Sequence, residues 1–155
     1  MPPPRVDIVA VGRLDQQMRP AFDHYRRLLA PRLSLEVREV REVALQGRAP
    51  AEVLQLEGER LLASARGAEV LVALDRGGKT PGSLELADLL RQWLERGRTA
   101  FVIGGSLGLA PEVVDAAGYV LSLSALTFPH QLARLVLAEQ IYRAVKIRAG
   151  EAYHY

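Results

Sequence analysis

Short apolar runs alternate along this chain with segments whose apolar residues recur at helical spacing, and that alternation restricts the fold more than any other feature. Val6, Ile8, Val9 and Val11 read as a buried strand over 5–11 that ends at Gly12; Met18, Phe22, Tyr25 and Leu29 then follow with a helical period. Leu33, Leu35 and Val37 alternate with polar residues as a second strand. Residues 46–50 break the pattern before a helix over 51–66, for which Gly67 is a natural stop. A third strand over 70–75 leads into a loop over 76–82, and Leu86, Leu89, Leu90, Trp93 and Leu94 mark the next helix. Residues 99–103 form a fourth strand, Pro111 opens a short helix ended by Gly118, a fifth strand covers 119–123, and a long helix runs over 130–148. The expected fold is α/β, a mostly parallel sheet with helices on both faces.

A length of 155 residues with 49% hydrophobic content predicts one domain over 1–155 with a substantial core. No apolar run reaches membrane-spanning length, and residues 1–5 lack the features of a signal peptide, so the expected location is cytoplasmic. The absence of cysteine excludes disulfides and thiolate metal sites. A formal charge of +2 does not specify a polyanionic partner. Of the 20 basic residues only Lys79 and Lys146 are lysine; arginine suits phosphates and bases, although a biased genome gives the same excess. Within the last helix Arg134, Arg143, Lys146 and Arg148 face one acid, Glu139, and this segment is the expected basic surface.

Two loops of small and hydroxyl residues follow apolar runs, 103–108 and 123–130, and such loops bring backbone N–H and C=O groups close to a ligand at the carboxyl ends of parallel strands. Gly78-Lys79-Thr80 ends like a P-loop, but that pattern requires glycine at position 73, where Ala73 stands. The glycines of 104–108 lack the dinucleotide fingerprint. His24, His130 and His154 are not at metal-ligand spacing, and no metal is expected. His24 reads as a surface residue, whereas His130 opens the last helix beside the second loop, as a structural cap or as part of the site. Leu132, Leu135, Val136, Ile141, Tyr142 and Val145 read as core or subunit contact, and Glu139 and Arg143 as a helix-surface pair. Residue by residue, the reading ends at an α/β domain with a C-terminal ligand pocket.

Over its full length the chain resembles the small SPOUT-class methyltransferases that modify N3 of a pseudouridine in large-subunit (23S) ribosomal RNA. The resemblance rests on Val9-Ala10-Val11-Gly12, Leu74-Asp75, Ile103-Gly104-Gly105, Ser122-Leu123-Ser124-Ala125-Leu126-Thr127 with Pro129-His130, residues 138–144, and Tyr153-His154. It implies a C-terminal trefoil knot, a homodimer, and S-adenosyl-L-methionine held by Leu74, Gly104, Leu123, Ser124, Ala125, Leu126, Thr127 and Phe128. It further implies that His154, delivered by the tail to the other subunit, takes or helps take the N3 proton, that Tyr153 shapes the nucleoside pocket, that Arg143 holds phosphate or orients the tail, and that His130 orients groups or faces RNA. The chain departs from the family at Ser106-Leu107, where proline and glutamate are common, and at Ala152 and Tyr155. A small protein without an added RNA-binding domain is expected to act on the large subunit or whole ribosome rather than on free RNA. Two other readings remain compatible with these residues: a SPOUT enzyme acting on another rRNA or tRNA nucleotide, and a non-catalytic ribosome-associated binding protein.

Overall fold

The computed structural model describes residues 2–153. Ten elements alternate in chain order: β1 (Arg5–Val11), α1 (Arg19–Leu29), β2 (Ser34–Val40), α2 (Pro50–Ser64), β3 (Val70–Lys79), α3 (Ser83–Arg96), β4 (Thr99–Ile103), α4 (Pro111–Ala116), β5 (Tyr119–Leu121) and α5 (His130–Arg148). The strands form one sheet in the order β2-β1-β4-β3-β5, and all four pairings are parallel. Successive strand residues point to opposite faces, so β1 serves two cores at once. Val6, Ile8 and Ala10 pack with Phe22, Leu29, Leu90, Trp93, Leu137 and Ile141 from α1, α3 and α5. Val9 and Val11 pack with Leu61 of α2 and Val113 of α4 on the other face. Both faces are covered, which is why the strands read as continuous apolar runs.

β3 is longer than its apolar run. Residues 76–79 were expected in a loop, yet β3 continues past an irregularity after Leu74, and Lys79 pairs with Leu121 of β5. The Ser122 N–H donates to the Lys79 carbonyl at 2.8 Å. Gly78 permits this approach: a Cβ there would lie 2.5 Å from the Val120 carbonyl oxygen, far inside contact distance. The Gly-Gly-Lys run thus serves strand pairing. β5 in turn stops at Leu121 rather than 123, because the Ser122 hydroxyl donates to the Ser124 carbonyl at 2.9 Å and turns the chain.

Arg134 also departs from expectation, since it is not part of a basic surface. Its side chain is only 1% exposed. Nη1 donates to Glu39 Oε2 at 2.6 Å, Nη2 donates to the Gly12 carbonyl at 3.0 Å, and the same Glu39 oxygen accepts the Leu14 N–H at 2.8 Å. One turn earlier, Gln131 accepts the Asp15 N–H at 2.8 Å and donates to the Arg13 carbonyl at 2.6 Å. The start of α5 is thereby fastened to the carboxyl ends of β1 and β2. Among the described residues no helix is long and apolar enough to cross a membrane.

Candidate functional site

Three chain segments at the carboxyl sides of neighbouring strands meet around one cleft. Its walls are Leu74, Asp75 and Arg76 after the apolar part of β3, Ile103, Gly104, Gly105 and Gly108 after β4, and residues of 122–128 after β5; His130 and Ala133 of α5 close the remaining side. Crevices beyond the carboxyl ends of parallel strands are where α/β sheets hold ligands.

Each wall has a local cause. Gly104 is required by backbone crowding: a Cβ at that position would lie 2.2 Å from the Gly108 carbonyl oxygen. The 105–108 turn is closed by the Gly108 N–H on the Gly105 carbonyl at 3.0 Å. In the facing loop the Ser124 hydroxyl accepts the Leu126 N–H at 3.0 Å, which holds Leu126 out with 72% of its surface exposed. Leu74 and Leu123 are partly buried behind it. At the rim, Arg76 Nη1 donates to Thr127 Oγ1 at 2.7 Å and joins the β3 wall to the β5 wall. The Asp75 carboxylate accepts the Gly77 N–H at 2.9 Å and fixes the turn beneath Arg76.

Of the residues expected to hold a cofactor, Leu74, Gly104, Leu123, Ser124, Leu126, Thr127 and Phe128 all line this cleft; Ala125 belongs to the same loop but is exposed and does not line it. His130 lines it too. Arg76, Asp75 and Ser122 line it without having been assigned to the cofactor; Asp75 and Ser122 were among the residues that carry the resemblance, but nothing local marks Arg76 as facing Thr127.

Tyr153 and Arg143 form a second cluster along α5. Arg143 pairs with Glu139 at 3.1 Å and its guanidinium lies over the Tyr153 ring, 4.8 Å from the centroid. The Tyr153 hydroxyl donates to Glu139 Oε2 at 3.2 Å, and its ring meets Tyr142 edge-on at 5.0 Å. Burial, then the neighbouring Glu139 carboxylate, pushes the Tyr153 phenol above its ordinary value. Glu151 bridges Arg32 and Lys146, and these hydrogen bonds hold its carboxyl below the ordinary range. The tail therefore folds back on its own helix. Arg143 stands 13 residues beyond His130 on α5, about 20 Å at 1.5 Å per residue. His154 lies outside the described residues.

Residues 5–154 match the family described as "Predicted SPOUT methyltransferase". The chain belongs to the SPOUT methyltransferase family. The ribosomal RNA large subunit methyltransferase H of Rubrobacter xylanophilus is 46% identical over 158 residues, covering 97% of this chain and 98% of its own. The protein of the same name from Clostridium novyi is 41% identical over 156 residues, covering 96% and 98%. A probable methyltransferase from Bordetella pertussis superposes with a TM-score of 0.57 at 16% identity, covering 92% of this chain and 96% of its own. The SpoU methyltransferase AviRb from Streptomyces viridochromogenes, solved in complex with the cofactor AdoMet, superposes with a TM-score of 0.51 at 17% identity, covering 97% and 60%. These two likenesses show a shared fold. In this SPOUT methyltransferase the shared fold presents the cleft at the carboxyl ends of β3, β4 and β5.

Proposed function

We propose that this chain, a single SPOUT domain working as a cytoplasmic homodimer, uses S-adenosylmethionine to methylate N3 of a pseudouridine in 23S ribosomal RNA on the large subunit or whole ribosome. The observation that carries this reading is the convergence of β3 and the loops after β4 and β5 on one cleft, in a chain 41% and 46% identical over nearly its whole length to relatives named ribosomal RNA large subunit methyltransferase H.

The residues present fit such a cofactor. Leu74, Leu123 and the outward-facing Leu126 offer an apolar surface for a purine, and the backbone around Gly104 and 124–127 offers polar contacts at close approach. When bound, the cofactor supplies a methyl carbon already activated by a positively charged sulfur. The protein is left to align the nucleoside and to remove the N3 imide proton, which explains why so few reactive side chains surround the cleft. In this reading His154 accepts or helps accept that proton, Tyr153 walls the nucleoside, Arg143 orients the tail through Glu139 and the Tyr153 ring, and His130 orients groups at the cleft mouth. The separation of about 20 Å along α5 between His130 and the Tyr153 cluster supports a homodimer, in which the tail of one subunit serves the cleft of the other. The close packing of Gly78 on Val120 and the bond from Ser122 to Lys79 support a C-terminal knot, since they clasp the two chain segments next to the 122–129 loop.

The test is transfer of labelled methyl from S-adenosylmethionine to large subunits and whole ribosomes lacking the modification, followed by mapping of the labelled nucleotide. Label at a pseudouridine N3 is expected; label elsewhere overturns the assigned target. Deletion of residues 153–155 should abolish methylation with cofactor binding intact, and full activity of that truncation would remove the tail from the mechanism. Normal turnover of His130→Ala would do the same for His130.

A further inference from the structure

The cleft carries its charge on one rim. Among the described side chains that line it, Arg76 is the sole permanently cationic one; Asp75 is acidic, His130 is a weak base, and the others are apolar or neutral. Arg76 is exposed at the carboxyl end of the apolar part of β3 and also borders the hollow outside the cleft, so it stands where cleft and solvent meet. Among the described residues Arg76 makes no ion pair. Asp75 uses its carboxylate on the Gly77 N–H, and the partner of Arg76 is the neutral Thr127 hydroxyl, 2.7 Å away on the opposite wall. A single bond from a hydrated guanidinium to a hydroxyl is easily exchanged for a carboxylate, which accepts two parallel charge-assisted bonds from the same fork.

S-Adenosylmethionine has an apolar, flat nucleoside end and an amino-acid end that ends in a carboxylate. Leu74, Leu123 and Leu126 suit the first; the second gains most from remaining at the wet rim beside a cation. Resting on the reading of this cleft as the S-adenosylmethionine site, we propose that Arg76 recognises the carboxylate of the cofactor's amino-acid end, and that it leaves Thr127 to do so. The Arg76 to Thr127 bond spans the cleft mouth, and when a carboxylate takes the guanidinium Thr127 is released.

Two ligands separate this role from a merely structural one: S-adenosylhomocysteine, which has the carboxylate, and 5′-deoxy-5′-methylthioadenosine, which shares the nucleoside and thioether and lacks it. Calorimetric titration of the full chain should show Arg76→Ala weakening S-adenosylhomocysteine about tenfold, with methylthioadenosine changed less than about twofold. Arg76→Lys, which keeps the charge without the fork, should lie between. Equal weakening of both ligands overturns the inference and makes Arg76 part of the wall. Unchanged binding of both also overturns it, and a raised KM for ribosomes in that case assigns Arg76 to RNA phosphate. A wild-type chain that binds neither ligand overturns the cofactor reading itself, and the inference with it.

Discussion

Two arginines join the C-terminal part of this protein to the carboxyl ends of its strands, and they do so in opposite surroundings. Arg134 is buried against Glu39 and the Gly12 carbonyl, whereas Arg76 is exposed and meets a hydroxyl. Burial lowers the pKa of Arg134, and the hydrogen bond and charge of Glu39 act against that shift. Among the described residues its Nε is buried without a hydrogen-bond partner, which adds to the cost of placing the charge there. A guanidinium so enclosed has one tolerable arrangement, because any displacement uncovers an unpaired buried charge. Arg76 keeps its hydration, so exchanging its partner costs little. The same side chain thus fixes the origin of α5 in one place and, in the other, stands ready to respond to a ligand. Arg143, about a quarter exposed beside Glu139, lies between these extremes.

The contrast is broken most directly by removing the buried member. Arg134→Ala is expected to cost about 3 kcal/mol in urea unfolding, the low end for a broken buried pair because Glu39 is 32% exposed and regains some hydration. Arg134→Met, which refills the volume without a charge, should recover part of the loss. A cost below about 1 kcal/mol for the alanine variant would show that Arg134 is not a clamp and would erase the distinction from Arg76.

That distinction is invisible in the sequence for a physical reason. Local pattern locates elements: Val6 to Val11, the turn residues at 104–108 and the hydroxyl loop at 122–128 were each legible because strand burial, close backbone approach and side-chain turns leave short-range marks. Partners distant in the chain leave none. Glu39 and Arg134 are 95 positions apart and Arg76 and Thr127 are 51 apart. Buried residues of α5 such as Leu137, Ala138, Ile141 and Val145 are accompanied by half-buried apolar residues on its other sides, so periodicity did not set Arg134 apart from Arg143 or Lys146. The extension of β3 through Lys79 likewise depends on β5, some 40 positions later.

A middle-sized effect is expected at the half-buried cluster, and pH reads it. Tyr153 has its pKa raised by burial and by Glu139 above the ordinary 10.0. The unfolded chain therefore loses the phenolic proton first, so the stability of the tail contact is complete below pH 10.0 and declines as pH rises through the raised folded value. Ultraviolet titration of the wild type, with Tyr153→Phe subtracted, should give a tyrosine that ionises above 10.0. Ionisation at or below that value would place Tyr153 in water, away from Glu139, and would leave Arg143 grouped with the exposed arginine.

The smallest effect on stability belongs to Arg76→Ala, and its smallness is the point. An exposed bond to a neutral hydroxyl contributes little to folding, so urea unfolding should change by no more than about 0.5 kcal/mol. Cofactor binding and stability are then separable at this residue: the variant folds as the wild type does and differs only toward a ligand that carries a carboxylate. A stability loss approaching that of Arg134→Ala would mean that the Arg76 to Thr127 bond holds the two walls together in the folded protein. The guanidinium would then be committed to Thr127, and a carboxylate at the cleft mouth would have to compete with the fold itself for it.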